Sequence, residues 1–382
     1  MKKIILSIIR FLSKIIKTDK NLITIIYRGY SGSNLTPIID KLNNSRYSNY
    51  KINVILDGKI YSDYKSGKIR KPTFYKNIFN KYKSVFKSNL VITTHGFYRL
   101  RKDNTMINLW HGIPLKTMSL MNKGKTDEIN FIEDDYFIST SSFFNTIMNA
   151  CIGIDGDAYT ITGYPRNDYL FSENGLKNLN TLLDREINGI VVLFMPTYRN
   201  GRSNEDINNI FGFPNFNLEK FNIFLEKNNI TLLVKLHPNE ENLLSRYNDF
   251  ASDRISLILS EDLEKKQIDL YKIINAVDVL ITDYSSIYFD FLLLDRPIVF
   301  TPVDLQEYKD DRGLLLEPYN FWTPGPKCLT QEALQVEISR SLLEEDYFKQ
   351  ERKLLRDIFH KYQDGNSTDR VMKLINNVME EN

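Results

Sequence analysis

The segment DVLITDYSSIYFDFLLLDRPIVF, residues 278–300, predicts a buried strand, a helix and a second buried strand in succession. Its apolar runs are short and rich in branched side chains, which is typical of strands covered on both faces. Similar runs precede it: GIVVLFMPTYR at 189–199, ITLLVKLHP at 230–238 and RISLILS at 254–260. Strands of this kind that alternate with helices predict a parallel sheet in a doubly wound α/β domain.

A second series of apolar strands lies before residue 170. It consists of NLITIIYRGY (21–30), KINVILDG (51–58), SNLVITTHG (88–96), TMINLWHG (105–112) and DDYFISTS (134–141). At 382 residues the chain is too long for one ordinary core. We therefore predict two Rossmann-like α/β domains, residues 19–178 and 179–382, that face a cleft in the GT-B arrangement. The helical region from 331 to 380 is long enough to pack back on the first domain.

The composition is that of an ordinary globular protein. Hydrophobic residues make up 42% and charged residues 26%, which excludes collagen-like, coiled-coil and disordered classes. Cys151 and Cys328 have neither metal-ligand spacing nor a disulfide pattern, so we expect a reducing cytoplasmic setting without structural zinc. No paired carboxylates stand out at strand ends, and we predict neither a metal nor another cofactor.

The first 17 residues, MKKIILSIIRFLSKIIK, predict a basic amphipathic helix within residues 1–18. Arg10 and Lys14 interrupt the apolar run, which is too short for a transmembrane helix or a signal-peptide core. A helix of this kind can lie in the interface of an anionic membrane. The alternative is a surface helix packed on its own domain.

A second basic segment runs from Lys41 to Lys87, with twelve Lys or Arg, two Asp and many interleaved Tyr and Phe. A basic, aromatic surface suits an anionic partner such as nucleic acid, lipid headgroups or a phosphate-rich polymer. The alternative is an ordinary solvated, lysine-rich face.

Two histidine motifs follow apolar runs, WHGIPLK at 110–116 and KLHPN at 235–239. Each histidine therefore lies where a predicted strand ends and a loop begins. Ligands of open α/β sheets bind at the carboxyl ends of the strands, so we expect His111 and His237 to line the cleft. His95 and His360 have no comparable setting, and we predict structural roles for them.

Seven strings resemble the CDP-glycerol glycerophosphotransferase family, which contains the teichoic-acid primases and polymerases. In chain order they are NLWHGIPLKTM (108–118), ITGYPRNDYL (161–170), VLFMPTYRNG (192–201), LLVKLHPN (232–239), DVLITDYSSIYFDFLLLDRPIVF (278–300), EYKDDRG (307–313) and YQDGNSTDR (362–370). One string would be a weak signal, whereas seven in order are specific. The first 90 residues carry little of the resemblance.

The resemblance implies a GT-B fold and an enzyme that moves an alditol phosphate, first of all glycerol phosphate, from a CDP-alditol to a hydroxyl. CMP is released. The implied acceptor is a lipid-linked saccharide or an alditol-phosphate polymer of teichoic-acid or capsule biosynthesis. We accordingly expect a peripheral protein at the cytoplasmic face of an anionic cell membrane, without a nucleic-acid partner.

The resemblance also assigns roles to residues. His111 is the implied general base, because an imidazole with a pKa near 6.5 can accept the proton of the attacking hydroxyl. His237 is implied to contact the donor phosphate. We place Gly112, Lys116 and Arg166 on the acceptor side, although Arg166 could equally form an ion pair with Asp168.

Further residues are predicted to bind the donor. Ser285 and Ser286 would stand at a helix N-terminus, which favours phosphate, and Ser285 could also be the N-cap. Arg199 and Arg312 are planar cations suited to phosphate oxygens. We add Pro238 at the histidine turn. FWTPGPK (321–327) is predicted to form a lid or turn beside the donor, where Gly325 allows a positive φ.

Three alternatives stay open. The donor could be CDP-ribitol. A sialyltransferase would also use a CMP-linked donor, an HP motif and a Ser-Ser pair, but it should carry an acidic pair followed by glycine, which EDDYF (133–137) lacks. A non-catalytic protein that binds an envelope polymer would use the basic segments equally well.

Overall fold

The computed structural model describes residues 2–27, 31–56, 78–97, 99–122, 133–198, 209–238, 240–241 and 251–381. The chain divides into two compact units. The first comprises Met1–His111, Ser119–Asp168 and Lys361–Asn382, and the second comprises Gly112–Met118 and Tyr169–His360. The division between the two compact units thus falls after Asp168. The domain boundaries at residues 18 and 178 stay predictions.

The first unit contains a six-stranded parallel sheet in the order β2-β1-β3-β4-β5-β6. Its strands are β1 (Asp19–Tyr27), β2 (Lys51–Leu56), β3 (Ser88–Thr93), β4 (Thr105–Asn108), β5 (Tyr136–Ser139) and β6 (Tyr159–Ile161). The second unit contains a five-stranded parallel sheet in the order β11-β10-β7-β8-β9. Its strands are β7 (Ile190–Phe194), β8 (Ile230–Val234), β9 (Ile255–Leu257), β10 (Val279–Thr282) and β11 (Ile298–Phe300).

Helices connect most of these strands, as parallel crossovers require. In chain order they are α1 (Lys2–Ser13), α2 (Leu35–Leu42), α3 (Ile78–Lys87), α4 (Ser142–Ile152), α5 (Tyr169–Ser172), α6 (Gly175–Leu183), α7 (Leu218–Lys227), α8 (Ser260–Lys266), α9 (Tyr271–Ile274), α10 (Ile287–Phe291), α11 (Leu305–Asp311), α12 (Tyr319–Trp322), α13 (Gln331–Leu343), α14 (Lys349–Phe359) and α15 (Ser367–Glu381).

The central strands are buried on both faces, which explains their unbroken apolar sequences. Every residue of β3 and of β8 is buried. In the second unit, Phe194, Phe211 and Phe221 pack with the branched residues of β8 and β10 into one core. The strands therefore have unbroken apolar sequences because helices cover each sheet on both faces.

Helix α1 is present where the amphipathic pattern predicts a helix. Ile9 packs against a core cluster of the first unit, and Nε of Arg10 donates to the carbonyl of Arg99 at 2.8 Å. Ile8, Phe11 and Ile15 are exposed by 53%, 71% and 79%. The helix thus has one packed face and one exposed apolar face. Its contact with a membrane stays a prediction.

The basic segment predicted from Lys41 to Lys87 is described only in part. Residues 57–77, the middle of this segment, lie outside the described residues. Within the described part, Lys41 and Lys51 form ion pairs with Asp369 and Asp19, at 2.8 and 2.7 Å.

Over the described ranges, no helix is both long and apolar enough to cross a bilayer.

Candidate functional site

The backbone leaves strand β4 through a left-handed residue. Trp110 is buried and has a φ of 51°, a conformation that costs a non-glycine residue about 1–2 kcal/mol. Its N–H donates to Oδ1 of Asn108 at 2.9 Å, and its carbonyl accepts from Nδ2 of Asn34 at 3.1 Å. These bonds hold the strained residue and thereby fix the direction in which the chain continues to His111.

The imidazole of His111 is held in one tautomer. Nδ1 lies 2.8 Å from the carbonyl oxygen of Thr94. Because a carbonyl can only accept, Nδ1 carries the hydrogen, and in the neutral ring the basic lone pair is on Nε2. This is the protonation pattern that a general base needs before it accepts a proton.

The ring of His95 stacks on that of His111, with centroids 4.2 Å apart and planes 7° from parallel. The two histidines follow neighbouring strands, since Thr93 of β3 pairs with Asn108 of β4. The contact was not predicted from the sequence, which indicated only a structural role for His95. The signal for it was the HG dipeptide that both TTHG and LWHG contain, but only the strand order shows that the two are neighbours.

Arg166 lies beside the backbone of His111. It is 6% exposed, and its guanidinium donates to the carbonyls of Gly32 at 3.1 Å and of His111 at 2.9 Å. The two carboxylate oxygens of Asp168 accept the first two backbone N–H groups of α15, at 2.9 and 2.7 Å. Arg166 therefore holds the backbone of His111, the predicted base, whereas Asp168 caps α15.

The second unit has its topological switch point between β7 and β10. Asp283, which follows β10, accepts the N–H of Thr197, which follows β7, at 2.8 Å. The bond joins two loops at the carboxyl ends of the strands, where open α/β sheets bind ligands. Asp283 thereby orients the loop that follows β7.

Ser285 and Ser286 follow in the same loop and are half-buried. Ser286 is the N-cap of α10, which changes the predicted cap from Ser285, and its hydroxyl makes no capping bond. Helix α10 has five residues. Its dipole is correspondingly small, so phosphate binding by the two serines rests on their hydroxyls and stays a prediction.

His237 and Pro238 are exposed at the end of β8. The turn is anchored by buried Lys235, whose Nζ donates to the carbonyl of the residue before His237 at 2.9 Å and pairs with Glu241. Desolvation lowers the pKa of His237, and the positive charges of Lys235 and Lys116 lower it further. Lys116 and His237 thus lie close enough to share one electrostatic environment.

The WHGIPLK motif is divided between the two units. His111 belongs to the first, whereas Gly112–Met118 belongs to the second. Lys116 forms an antiparallel bridge with Leu314, and desolvation followed by the charge of Arg312 lowers the pKa of Lys116. Lys116 and Gly112 therefore belong to the same compact unit as Arg312 and His237, and their place on the acceptor side stays a prediction.

Residues 321–327 do not form the lid that was one of the two predictions for this segment, and the turn beside the donor stays a prediction. Residues 323–326 are buried, and the carbonyl of Pro326 accepts the N–H of Phe300 in β11 at 2.9 Å. Gly325 is not among the described glycines with a positive φ. A Cβ at Gly325 would lie 1.9 Å from the carbonyl oxygen of Ile298, so close packing against β11 explains the glycine.

Arg199 lies outside the described residues, and its donor contact stays a prediction. Arg312, at the end of α11, is exposed, with Nε 3.7 Å from a carboxylate oxygen of Asp311. His360 is buried and its Nε2 lies 2.7 Å from the carbonyl of Phe289, in keeping with the structural role predicted for it.

A family model described as CDP-Glycerol:Poly(glycerophosphate) glycerophosphotransferase matches residues 8–377. The chain belongs to this family. The match extends over nearly the whole chain and confirms the resemblance that the seven strings carry, including the first 90 residues, where the strings say little.

Curated relatives are similar over most of the chain. The teichoic acid glycerol-phosphate primase of Bacillus subtilis is 28% identical over 77% of this chain and 75% of its own length. The teichoic acid glycerol-phosphate transferase of Staphylococcus aureus is 29% identical over 71% of each. The ribitol-phosphate polymerase TarL of Staphylococcus aureus is 27% identical over 72% of this chain and 48% of its own length.

Among solved structures, the wall teichoic acid polymerase TagF superposes with a TM-score of 0.78, covering 98% of this chain and 93% of that one. The two are 19% identical, so the likeness concerns the fold. It confirms the predicted GT-B fold with its parallel sheets.

Proposed function

We propose that the chain transfers glycerol phosphate from CDP-glycerol to a hydroxyl of a lipid-linked teichoic-acid precursor and releases CMP. Family membership supports this reaction, as does the glycerol-phosphate chemistry named for the relatives in Bacillus subtilis and Staphylococcus aureus. The observation that carries the proposal is the fixed tautomer of His111, whose Nδ1 is committed to the carbonyl of Thr94.

In the proposed step, the acceptor oxygen forms a bond to the phosphorus that bears glycerol. The anhydride P–O bond to CMP breaks, and its electron pair stays on the CMP phosphate. The hydroxyl proton passes to Nε2 of His111, a general-base contribution of about 10²- to 10⁴-fold. The aromatic stack of His95 and the hydrogen bond to Thr94 limit rotation of the imidazole.

Negative charge that develops on CMP needs cations in place. We propose that Lys116 and Arg312 of the second unit supply them, and that His237, whose lowered pKa favours the neutral imidazole, contacts the donor phosphate as a hydrogen-bond donor. The charge of Arg312 lowers the pKa of Lys116, and the charge of Lys116 lowers the pKa of His237, which supports this grouping because such effects require proximity. Cations preorganised where charge develops stabilise a transition state without reorganisation.

A donor panel tests the function. Full-length protein is incubated with a lipid-linked acceptor and CDP-glycerol, CDP-ribitol or CMP-sialic acid, and CMP release is measured. We expect acceptor-dependent release from CDP-glycerol and a loss of about 10²-fold or more in His111→Ala. No release from any CDP-alditol, or equal rates for wild type and His111→Ala, would refute the proposal.

CDP-ribitol is the second candidate donor. The relatives named for ribitol phosphate are about as similar to this chain as those named for glycerol phosphate, at 27% and 28% identity. Faster CMP release from CDP-ribitol than from CDP-glycerol in the same panel would replace the first candidate. We further propose that turnover needs no divalent metal, which unchanged CMP release in EDTA would support and its loss would refute.

We also propose that α1 contacts the cytoplasmic face of an anionic membrane. The exposed apolar residues Ile8 and Phe11 of α1, and Ile15 just after its end, support this location, as do the basic residues around them. The double variant Phe11→Ser/Ile15→Ser should lose binding to vesicles of phosphatidylglycerol and phosphatidylcholine. Ile223→Ser, which changes a similarly exposed residue on α7, is the matched control. Equal vesicle binding by all three proteins would refute the proposal.

A further inference from the structure

We propose that Asp134 is a positioning residue for His111 and acts through the side-chain amide of Asn108. The inference rests on the proposed role of His111 as the general base and goes beyond it. Neither Asp134 nor Asn108 was identified as a candidate site residue from the sequence, although Asn108 begins the NLWHGIPLKTM string.

A chain of two hydrogen bonds connects Asp134 to the turn at Trp110. Nδ2 of Asn108 donates to Oδ2 of Asp134 at 2.8 Å, and Oδ1 of Asn108 accepts the N–H of Trp110 at 2.9 Å. An amide has donors on one side and an acceptor on the other. Because the carboxylate of Asp134 accepts from the amide nitrogen, it fixes the amide with its oxygen towards Trp110.

The orientation of this amide matters because Trp110 is strained. If the amide turned over, two N–H donors would face each other at a buried residue, and the bond that holds the left-handed φ of 51° would be lost. Trp110 directly precedes His111, whose Nδ1 depends on a 2.8 Å bond to Thr94. Relaxation of Trp110 would therefore displace the imidazole.

The position is costly for a carboxylate, which argues for a role other than packing. Asp134 is 8% exposed, and its Oδ1 has no hydrogen-bond partner among the described residues. The charged groups that act on it are Asp135 and Arg99, which pair with each other at 2.9 Å. An aliphatic residue would avoid the desolvation cost but could not orient Asn108.

An exchange of the two side chains tests the inference in the full-length protein. Asn108→Asp has no N–H group to donate, and at alkaline pH its carboxylate repels that of Asp134. We expect kcat to fall about 10²-fold, with little change in KM for CDP-glycerol, because the base is displaced rather than the donor site. In Asn108→Asp/Asp134→Asn, the amide at 134 donates to the carboxylate at 108, whose other oxygen accepts from Trp110. Most of the lost kcat should return.

Asp134→Leu and Asp134→Asn are compared as single variants. Asp134→Leu leaves no acceptor for the amide of Asn108, so its kcat should fall as in Asn108→Asp, whereas Asp134→Asn keeps an oxygen for Asn108 and should lose less. A second readout is independent of activity: the Nδ1 proton signal of His111 in NMR spectra should disappear in Asn108→Asp and return in the double variant. The Tm of each variant shows whether it folds.

The inference is overturned if Asn108→Asp retains wild-type kcat at alkaline pH, or if the folded double variant is no more active than Asn108→Asp. If instead wild type releases no CMP from a CDP-alditol, the proposed function fails, and the NMR signal decides the positioning role on its own. Loss of the signal and its return support that role, and an unchanged signal in Asn108→Asp refutes it.

Discussion

Lys235→Met should destabilise the protein by about 3 kcal/mol, because it leaves one charge of a buried ion pair without its partner. The side chains of Lys235 and Glu241 are 5% and 14% exposed. Removal of one partner from such a pair costs about 3–5 kcal/mol. Glu241 keeps two bonds from Ser260, from its N–H at 3.0 Å and its hydroxyl at 2.8 Å. These bonds partly solvate the remaining carboxylate and place the loss at the lower end of that range.

Urea unfolding followed by circular dichroism measures the effect. A loss of this size should lower the midpoint by about 1–2 M. Removal of both charges in Lys235→Met/Glu241→Leu should be less destabilising than Lys235→Met alone, since no buried charge then remains. Lys265→Met, which breaks an exposed pair with Glu261, should leave the midpoint unchanged.

A double variant that is less stable than Lys235→Met would refute this explanation, because the cost would then not arise from an unpaired charge.

A functional consequence accompanies the loss of stability in Lys235→Met. Nζ of Lys235 also holds the carbonyl before His237, so KM for CDP-glycerol should rise in folded Lys235→Met.

His237→Ala should lower kcat/KM for CDP-glycerol by about 10²-fold with an unchanged Tm, since the side chain is exposed; an unchanged kcat/KM would exclude it from the donor site. Burial raises the pKa of Asp134 to about 7 from 3.8, so the folded protein keeps a proton that the unfolded chain releases, and stability falls as pH rises between these values. The stability advantage of Asp134→Asn in urea unfolding should therefore grow from about pH 4 to pH 7, by on the order of a few kcal/mol, and then level off; a constant difference would contradict the shift. Gly325→Ala should cost about 1–3 kcal/mol through its clash with the carbonyl of Ile298, and an unchanged midpoint would contradict the close packing.

The sheets were predictable because helices cover them on both faces and the strands are therefore continuous apolar runs. Strands β2 to β5 and β7 to β11 lie within predicted segments, and β1 begins two residues before its segment. Strand β6 was missed, since Tyr159–Ile161 has three half-buried residues with a threonine at the centre. A strand of that length has no periodicity that a sequence pattern could reveal.

The candidate site was predictable only in part. Single residues could be identified from the sequence, but the residues that contact them in the fold could not. His111 and His237 could be found from the turns that follow apolar runs. The stack with His95 depends on β3 and β4 being adjacent, and the location of Lys116 depends on a bridge to Leu314, nearly 200 residues away. Gly325 was selected correctly as unusual, but a close approach of backbone atoms cannot be told from a positive φ in a sequence.

The division of WHGIPLK between two compact units affects how chimeric enzymes of this family should be built. Exchange of the contiguous part of the second unit, residues 169–360, would separate residues 313–315 from the native segment 112–118 that pairs with them. The carbonyl of Leu115 accepts the N–H of Leu315 at 2.8 Å, so a foreign partner would have to reproduce that ribbon. A chimera intended to change donor preference should therefore replace Gly112–Met118 together with residues 169–360. It should keep His111 of the protein that supplies the first unit.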